Sequence, residues 1–267
     1  KVSGYIGECR ECGIALLPPD INRSADRFTV EEGGIRFGLV AIKNIGRGFI
    51  QAVMRERETG GDFTSLYDFC SRMNGSEMNK RAVENLIRSG AFDSMGARRS
   101  QLIKVYESVM DSVAAQQREN VEGQMDFFSM AADNDEKSNS VKEIPLPDIP
   151  EYTPEELMTM EKATTGLYLS GHPMDHYRDA VRKLHAPTIV SIIEDFSREN
   201  GPERFTDGQR ITIAGVITSS KTKTTKNNSL MAYVMVEDDT ASMELLCFSR
   251  VLETCGAYMK ENQAVVV

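Results

Sequence analysis

The spacing of apolar positions changes along the chain, and each change predicts a different kind of element. Between Leu39 and Arg118 apolar residues recur every three or four positions and are broken by glycine, which predicts helices near 39–44, 48–58, 64–73, 79–89 and 97–118. The last is the most regular: Leu102, Tyr106, Val109 and Val113 fall on one stripe, and Lys104, Asp111 and Arg118 lie off it. From Gln209 onward the period is two. Ile211, Ile213, Gly215 and Ile217 alternate with Thr212, Ala214, Val216 and Thr218, and further strand-like runs occupy 231–236, 242–248 and 264–267. Upstream, Tyr5 to Leu17 reads as helical, stopped by Pro18 and Pro19, whose rings cannot continue a helix. Two β-prone runs, Arg27 to Val30 and Ile35 to Gly38, flank Glu31-Glu32-Gly33-Gly34 and predict a hairpin, the glycines supplying a tight turn.

The middle of the chain follows neither period. Residues 129–140 are rich in Ala, Asp, Asn and Ser, and the run from Ile144 to Pro150 holds three prolines, a composition that predicts a mobile linker. Helical character returns over 154–196, with Thr153 as N-cap, Pro154 in the first helical position and Glu156 placed to complete a capping box. The expected fold class is α+β and multidomain: a helical domain, a linker with helices, and a small antiparallel β-barrel.

Charge must be divided along the chain before it says anything about partners. The formal net charge is −9, but residues 119–161 alone hold twelve acids against two lysines, and residues 36–118 hold thirteen Lys or Arg against nine Asp or Glu. The acidic balance therefore belongs to the linker, and a nucleic-acid surface remains compatible with the helical domain. A length of 267 residues and 40% apolar content fit about two folded domains. No run approaches the roughly 18 apolar residues of a membrane span. The five cysteines, Cys9, Cys12, Cys70, Cys247 and Cys255, form no disulfide framework, which predicts a cytoplasmic protein without a membrane partner. The missing initiator Met and the apolar last residues, Ala264 to Val267, predict an excised piece of a longer chain.

Three constellations could carry function. The first is Lys43-Asn44-Ile45-Gly46-Arg47-Gly48, a Gly-x-Gly turn between two helices. Gly46 and Gly48 would let a phosphate approach the backbone, the N–H groups opening the second helix would bind it, and Lys43 and Arg47 would add attraction. Helix-hairpin-helix modules hold DNA in this way, without reading its sequence. A less regular turn at Gly90, followed by Arg98 and Arg99, could repeat the arrangement in tandem. Taken alone, a Gly-x-Gly more often simply ends one helix and starts the next; two such turns in one basic domain favour DNA.

The second constellation is Gln124-Met125-Asp126-Phe127-Phe128 at the head of the acidic stretch. Adjacent phenylalanines in a polar setting would fill a partner's apolar cleft or fold back on the preceding helix, and spacing alone balances the two. The third is the loop 219–228, where Lys221, Lys223 and Lys226 face no acid. In an OB-fold this loop and the adjoining sheet form an oligonucleotide groove where Tyr233 or Phe248 could stack on bases; both could equally be barrel core.

Other chemistry finds little support. Cys9 and Cys12 are half of a zinc-ligand pair, and His172 and His176 are split by Pro173, so no metal site is assigned. There is no phosphate-binding Walker loop, no nucleophile elbow and no strand-tip aspartate pair; Asp238-Asp239 reads as a hairpin turn. No catalytic residue is assigned.

Four phrases carry a resemblance over nearly the whole chain: Glu8 to Asn22, Gly38 to Gly46, Asn79 to Asp93, and Glu161 to Pro173. In these, and in Leu230 to Phe248, the chain closely resembles the family of bacterial DNA polymerase III alpha subunits, the replicative C-family DNA polymerases. The resemblance implies that 1–35 end a fingers domain and that 36–118 form a tandem helix-hairpin-helix domain. It further implies that 119–153 are an acidic linker with a sliding-clamp-binding pentapeptide at 124–128, 154–208 a helical connector, and 209–267 a truncated OB-fold. It places the Mg²⁺-binding aspartates in a palm domain upstream, so this stretch would carry no cofactor and no catalytic centre. The implied partners are double- and single-stranded DNA, the sliding clamp and other polymerase III holoenzyme subunits. Phe127 stands where the family's clamp motif commonly has a smaller aliphatic residue. The competing readings are a stand-alone DNA-binding or repair adaptor with the same modules, and an RNA-binding OB protein.

Overall fold

The computed structural model describes residue 9 and residues 12–75, 78–127, 144–225 and 228–267, with side chains of the helix that ends at 127 described as far as 118. Two compact units emerge: Ala15–Leu169, and Ser170–Val267 with the residues up to Ile14. The α+β, multidomain expectation is met by helices gathered around the hairpins and an open antiparallel sheet.

In the first unit, strands β1 (Ala15–Leu17), β2 (Thr29–Glu31) and β3 (Gly34–Arg36) form a sheet in the order β1-β3-β2. The predicted hairpin is β2–β3, paired antiparallel. The helix expected up to Leu17 gives way at its end to β1, parallel to β3. The reason is local as well as tertiary: Pro18 pushes the preceding residue toward extended backbone, and β3 offers it an edge. Gly34 is obligatory at this junction, since a Cβ there would fall 2.1 Å from the Ala15 carbonyl oxygen.

Five α-helices follow: α1 (Arg47–Gly60), α2 (Leu66–Arg72), α3 (Lys80–Arg88), α4 (Arg99–Phe127) and α5 (Pro154–Thr165). The first expected helix is reduced to a 3₁₀ turn, Leu39–Ala41. Ser65, Asn79 and Thr153 cap α2, α3 and α5, and Thr153 and Glu156 complete the predicted capping box. The stripe read on α4 is the buried one: Leu102, Tyr106, Val109 and Val113 all enter the core. At the centre of that core, Phe69 is fully buried and meets Phe63, Phe92 and Phe49 edge-on, at ring-centroid distances of 5.0, 5.0 and 6.2 Å.

The mobile linker expected through Pro150 does not hold over 144–151, which lies as a strap along the start of α4. Ile144 packs against the core. Gln101 Nε2 donates to the Pro147 carbonyl at 2.8 Å, and Arg98 Nη1 donates to the Ile149 carbonyl at 2.7 Å. Prolines make such a strap less costly to order, because the free chain has fewer conformations to lose.

In the second unit, the 3₁₀ turn Pro173–Tyr177 and helices α6 (Arg178–Leu184) and α7 (Ile189–Phe196) precede a four-stranded antiparallel sheet. Its strands are β4 (Ala214–Thr224), β5 (Leu230–Glu237), β6 (Ser242–Phe248) and β7 (Ala264–Val266), in the order β6-β5-β4-β7, with α8 (Ser249–Cys255) between β6 and β7. A bulge between Ile217 and Ser219 breaks the β4–β5 register and lets β4 bend. Ile217, Ala232, Val234, Val236 and Cys247 line the inner side with Ile189 of α7, giving an open, OB-like half-barrel. Asp238 makes the expected polar turn and also caps α7, its Oδ2 accepting from the Ile189 N–H at 2.7 Å.

One buried ion pair ties α5 to α4. Glu161, 1% exposed by side chain, accepts from Arg99 Nη1 at 3.0 Å, and Asp93 accepts from Arg99 Nη2 at 2.6 Å. Breaking a buried pair on one side strands the other charge, so Glu161→Ala is expected to destabilise the chain by about 3 kcal/mol. Chemical denaturation monitored by far-UV circular dichroism measures this, and a loss under about 1 kcal/mol would show that Asp93 alone suffices for Arg99.

Candidate nucleic-acid interface

The first hairpin runs from the 3₁₀ turn Leu39–Ala41 to the start of α1. Its reversal is made by Asn44 at φ +62°, and Gly46, at φ −76°, is the N-cap residue of α1. Asparagine tolerates left-handed backbone better than most residues, so the strained position belongs to it and not to either glycine. Gly48 lies inside the first turn of α1. Gly46, Arg47 and Gly48 are all exposed, and the next two residues, Phe49 and Ile50, are buried at 2% and 1% exposure. Phe49 and Ile50 thus anchor the turn while its backbone faces outward.

No side chain caps α1. Among the described helices of eight residues or more, α3, α5 and α7 are capped by Asn79, Thr153 and Thr188. The amides opening α4 are taken by Glu151, which accepts from the Arg99 N–H at 2.8 Å and the Ser100 N–H at 3.0 Å. Helix α1 alone in that set presents its first amides uncapped, with the positive end of its dipole facing outward. Glycine at the N-cap and at the second helical position leaves no side chain in front of them.

Two side chains hold the hairpin from behind. Asn85 of α3, 8% exposed, donates from Nδ2 to the Lys43 carbonyl at 2.6 Å. Lys43 in turn meets the C-terminal end of α5: its N–H donates to the Thr164 carbonyl and its Nζ to the Ala163 carbonyl, both at 2.8 Å. Lys43 therefore spends its ammonium on the carbonyl end of a helix, where a cation is favoured, while remaining exposed. Arg47 has no ion pair among the described residues. Arg81, one turn before Asn85 on α3, is a further exposed cation.

The second hairpin is built differently. Gly90 sits at φ +84°, buried, where a Cβ would fall 2.3 Å from Arg99 Nη2. The glycine makes room for a guanidinium and not for a phosphate. Arg99 is 6% exposed and turned inward to Asp93 and Glu161; burial works against its charge, but those bonds outweigh it and its pKa is raised. Arg98 is half-exposed and holds the strap. Glu151 loses hydration at this seat, yet the N–H groups of Ser100, Tyr152 and Arg99 more than compensate and keep its carboxyl below its usual range. The sequence placed Arg98 and Arg99 side by side as phosphate ligands; Arg99 is a structural ion-pair residue because its partner carboxylate arrives from Glu161, 62 positions away.

In the second unit β4 continues to Thr224, so Lys221 and Lys223 lie on a strand and not in the loop expected there. Cross-strand neighbours set one outward row of Lys221, Tyr233 and Leu246, and another of Lys223, Met231 and Phe248. Lys223 Nζ lies 5.0 Å from the Tyr233 ring centroid. Leu246 and Phe248 are 52% and 62% exposed. The choice left open by the sequence is settled for position: Tyr233 and Phe248 point away from the inner core of Ala232, Val234 and Cys247. Lys226 lies outside the described residues.

Gln124, Met125, Asp126 and Phe127 fall on the last turn of α4, which runs further than the helix expected to end at 118, and Phe128 lies outside the described residues. No cluster of His, Cys, Asp or Glu among the described residues could hold a metal ion. His172 instead caps the 3₁₀ turn that follows it, Nδ1 accepting from the Met174 N–H at 3.1 Å. No helix among the described residues is long and apolar enough to cross a membrane. Asn44, Asn85, Glu151 and Glu161 are the site-shaping residues that sequence reasoning missed. Only Asn44 carried a local signal, as an asparagine placed just before Ile-Gly.

A family model for the helix-hairpin-helix motif matches residues 13–102, the stretch that contains both hairpins. Over its full length the chain is 31% identical to the DNA polymerase III subunit alpha of Vibrio cholerae and 34% identical to that of Saccharopolyspora erythraea. Over 94% of its length it is 36% identical to that of Deinococcus radiodurans. It spans about a fifth of these relatives, 22%, 22% and 18% of their lengths. An end-to-end match of this kind, with two hairpins in the matched motif region, makes the chain a section of the DNA polymerase III alpha-subunit family.

Proposed function

We propose that this region is the DNA-gripping part of a replicative DNA polymerase: it holds the substrate while nucleotidyl transfer from deoxynucleoside triphosphates proceeds on Mg²⁺-binding palm aspartates outside the chain. The observation that carries the reading is the uncapped start of α1, exposed at Gly46-Arg47-Gly48, in a domain whose other long helices are capped. Backbone amides and a helix dipole bind a phosphodiester irrespective of base, and Arg47 adds a mobile cation. The end-to-end likeness to alpha subunits favours this over a stand-alone adaptor.

The outward face of the half-barrel supplies a second contact, with single-stranded DNA. Lysines flanking exposed aromatic and aliphatic side chains are what a sequence-tolerant single-strand surface requires, charge for the backbone and ring faces for the bases. The pentapeptide at 124–128 is the tether to a sliding clamp, which keeps the polymerase at the primer end by raising its effective concentration there. Other holoenzyme subunits are partners of the whole protein, and its setting is the cytoplasm.

Three measurements test these assignments. Arg47→Ala should weaken duplex binding about equally for all sequences and reduce the slope of log K against log salt by about one; an unchanged slope would remove the first hairpin from the interface. Tyr233→Ala and Phe248→Ala should each cost about 1–3 kcal/mol in binding to oligothymidylate, with duplex affinity unaltered. Equal oligothymidylate binding by wild type and both variants would rule out the sheet face. Combined Phe127→Ala and Phe128→Ala should abolish retention by immobilised sliding clamp without changing DNA affinity, and undiminished retention would reject the tether.

A further inference from the structure

The outward face of the half-barrel holds two rings in unequal states. Phe248 is 62% exposed, and among the described residues no cation lies over it. Tyr233 is half-buried, and the Nζ of Lys223 lies over its ring, 5.0 Å from the centroid. The register explains the contact. Lys221, not Lys223, is directly opposite Tyr233, and Lys223 stands opposite Met231 one row along, so its side chain reaches the ring diagonally from β4 to β5. Diagonal neighbours on one face of an antiparallel pair are about 7–8 Å apart, within reach of a lysine stem. The two rows that hold the lysines contain no acid: they are Lys221, Tyr233 and Leu246, and Lys223, Met231 and Phe248. With no carboxylate in its row, the ammonium settles on the electron-rich face of the ring.

We propose that Lys223 is a removable cap on Tyr233, released by a strand phosphate, and that it makes this half of the platform selective for a charged nucleic-acid backbone. A base cannot stack on a ring face that an ammonium covers. A single strand brings base and phosphate together, and the phosphate offers Lys223 a stronger partner than the ring does, since a lysine on a polyanion also releases counterions. Lys223 then leaves the ring for the backbone, and the uncovered face takes the base. Phe248 has no such cover and stacks on any base presented to it. The inference rests on the reading of this face as a single-strand surface; what it adds is the order of events at Tyr233 and a discrimination against bases that arrive without a charged backbone.

The test uses the whole chain and two oligothymidylates, one with natural phosphodiesters and one with neutral methylphosphonate linkages. Lys223→Met and Lys221→Met each remove one charge from an exposed position and keep most of the stem, but only the first uncovers Tyr233. On the natural strand each should lower the slope of log K against log salt by about 0.7, the loss of one phosphate contact to a single strand. On the neutral strand Lys223→Met should bind about two- to fivefold more tightly than wild type, the strength of an exposed cation–π contact, and Lys221→Met should match wild type. Tyr233→Ala should weaken binding to the natural strand and change it little on the neutral one, whereas Phe248→Ala should weaken both alike. The proposal is overturned if Lys223→Met gains nothing over wild type on the neutral strand, or if Lys221→Met gains as much. Should Tyr233→Ala and Phe248→Ala leave even natural-strand binding unchanged, the single-strand reading fails and the cap with it. If they weaken natural-strand binding while Lys223→Met brings no gain on the neutral strand, the face binds single strands and the cap is false.

Discussion

The aromatic contact centred on Phe69 is the constraint from which the first unit takes its shape. Phe49 comes from the first turn of α1 and Phe92 from the second hairpin, and both rings meet Phe69 of α2 edge-on. Neither hairpin could supply its own core, since each is a few residues of turn with only one or two large side chains pointing inward. Burying both rings against a common third ring fixes the two turns relative to one another. The cost of disturbing any of them is that of a large core cavity, several times what one exposed ion pair contributes. The outward-facing amides at Gly46 to Gly48 are therefore presented by a rigid support and not by a loop.

On that support the two hairpins diverge through what happens at the helix that follows each. Helix α1 begins with glycine and is left open; α4 begins with Arg98-Arg99 and is closed by carboxylates from two directions. Glu161 draws Arg99 inward, and Glu151 covers the amides. Both acids come from the stretch that carries the chain's net acidic excess, so that charge is partly internal. It is spent on α4, and the first hairpin keeps its exposed cation. The tandem likeness of the two turns in sequence thus conceals an electrostatic difference between them.

Local order was legible in the sequence wherever local order was the cause. The stripe on α4, the Thr153 capping box, the β2–β3 hairpin and the alternation in β5 and β6 depend on neighbours within a few residues, and each is found where periodicity and turn chemistry place it. What escaped was set by distant partners. Leu17 became strand because β3 and Pro18 act on it together, and Arg99 turned inward because Glu161 waits on another helix. The proline run looked like a free linker because composition does not register a hydrogen-bond acceptor at Pro147 or a carboxylate at Glu151 that finds donors on α4. Tyr233 and Phe248 were ambiguous for a similar reason: alternation identifies two faces but not which is covered.

Helix α4 continues unbroken from Arg99 to Phe127, 29 residues, which at 1.5 Å per residue makes a rod of about 43 Å. Its near end is built into the second hairpin and its far end carries the Gln-Met-Asp-Phe sequence. A protein holding that far end would stand a little more than about one turn of double helix away from the hairpin if the rod lay along the duplex. On the proposed reading of 124–128 as a clamp-binding peptide, the length of one helix would act as a ruler, setting how much DNA lies between a bound clamp and the hairpin.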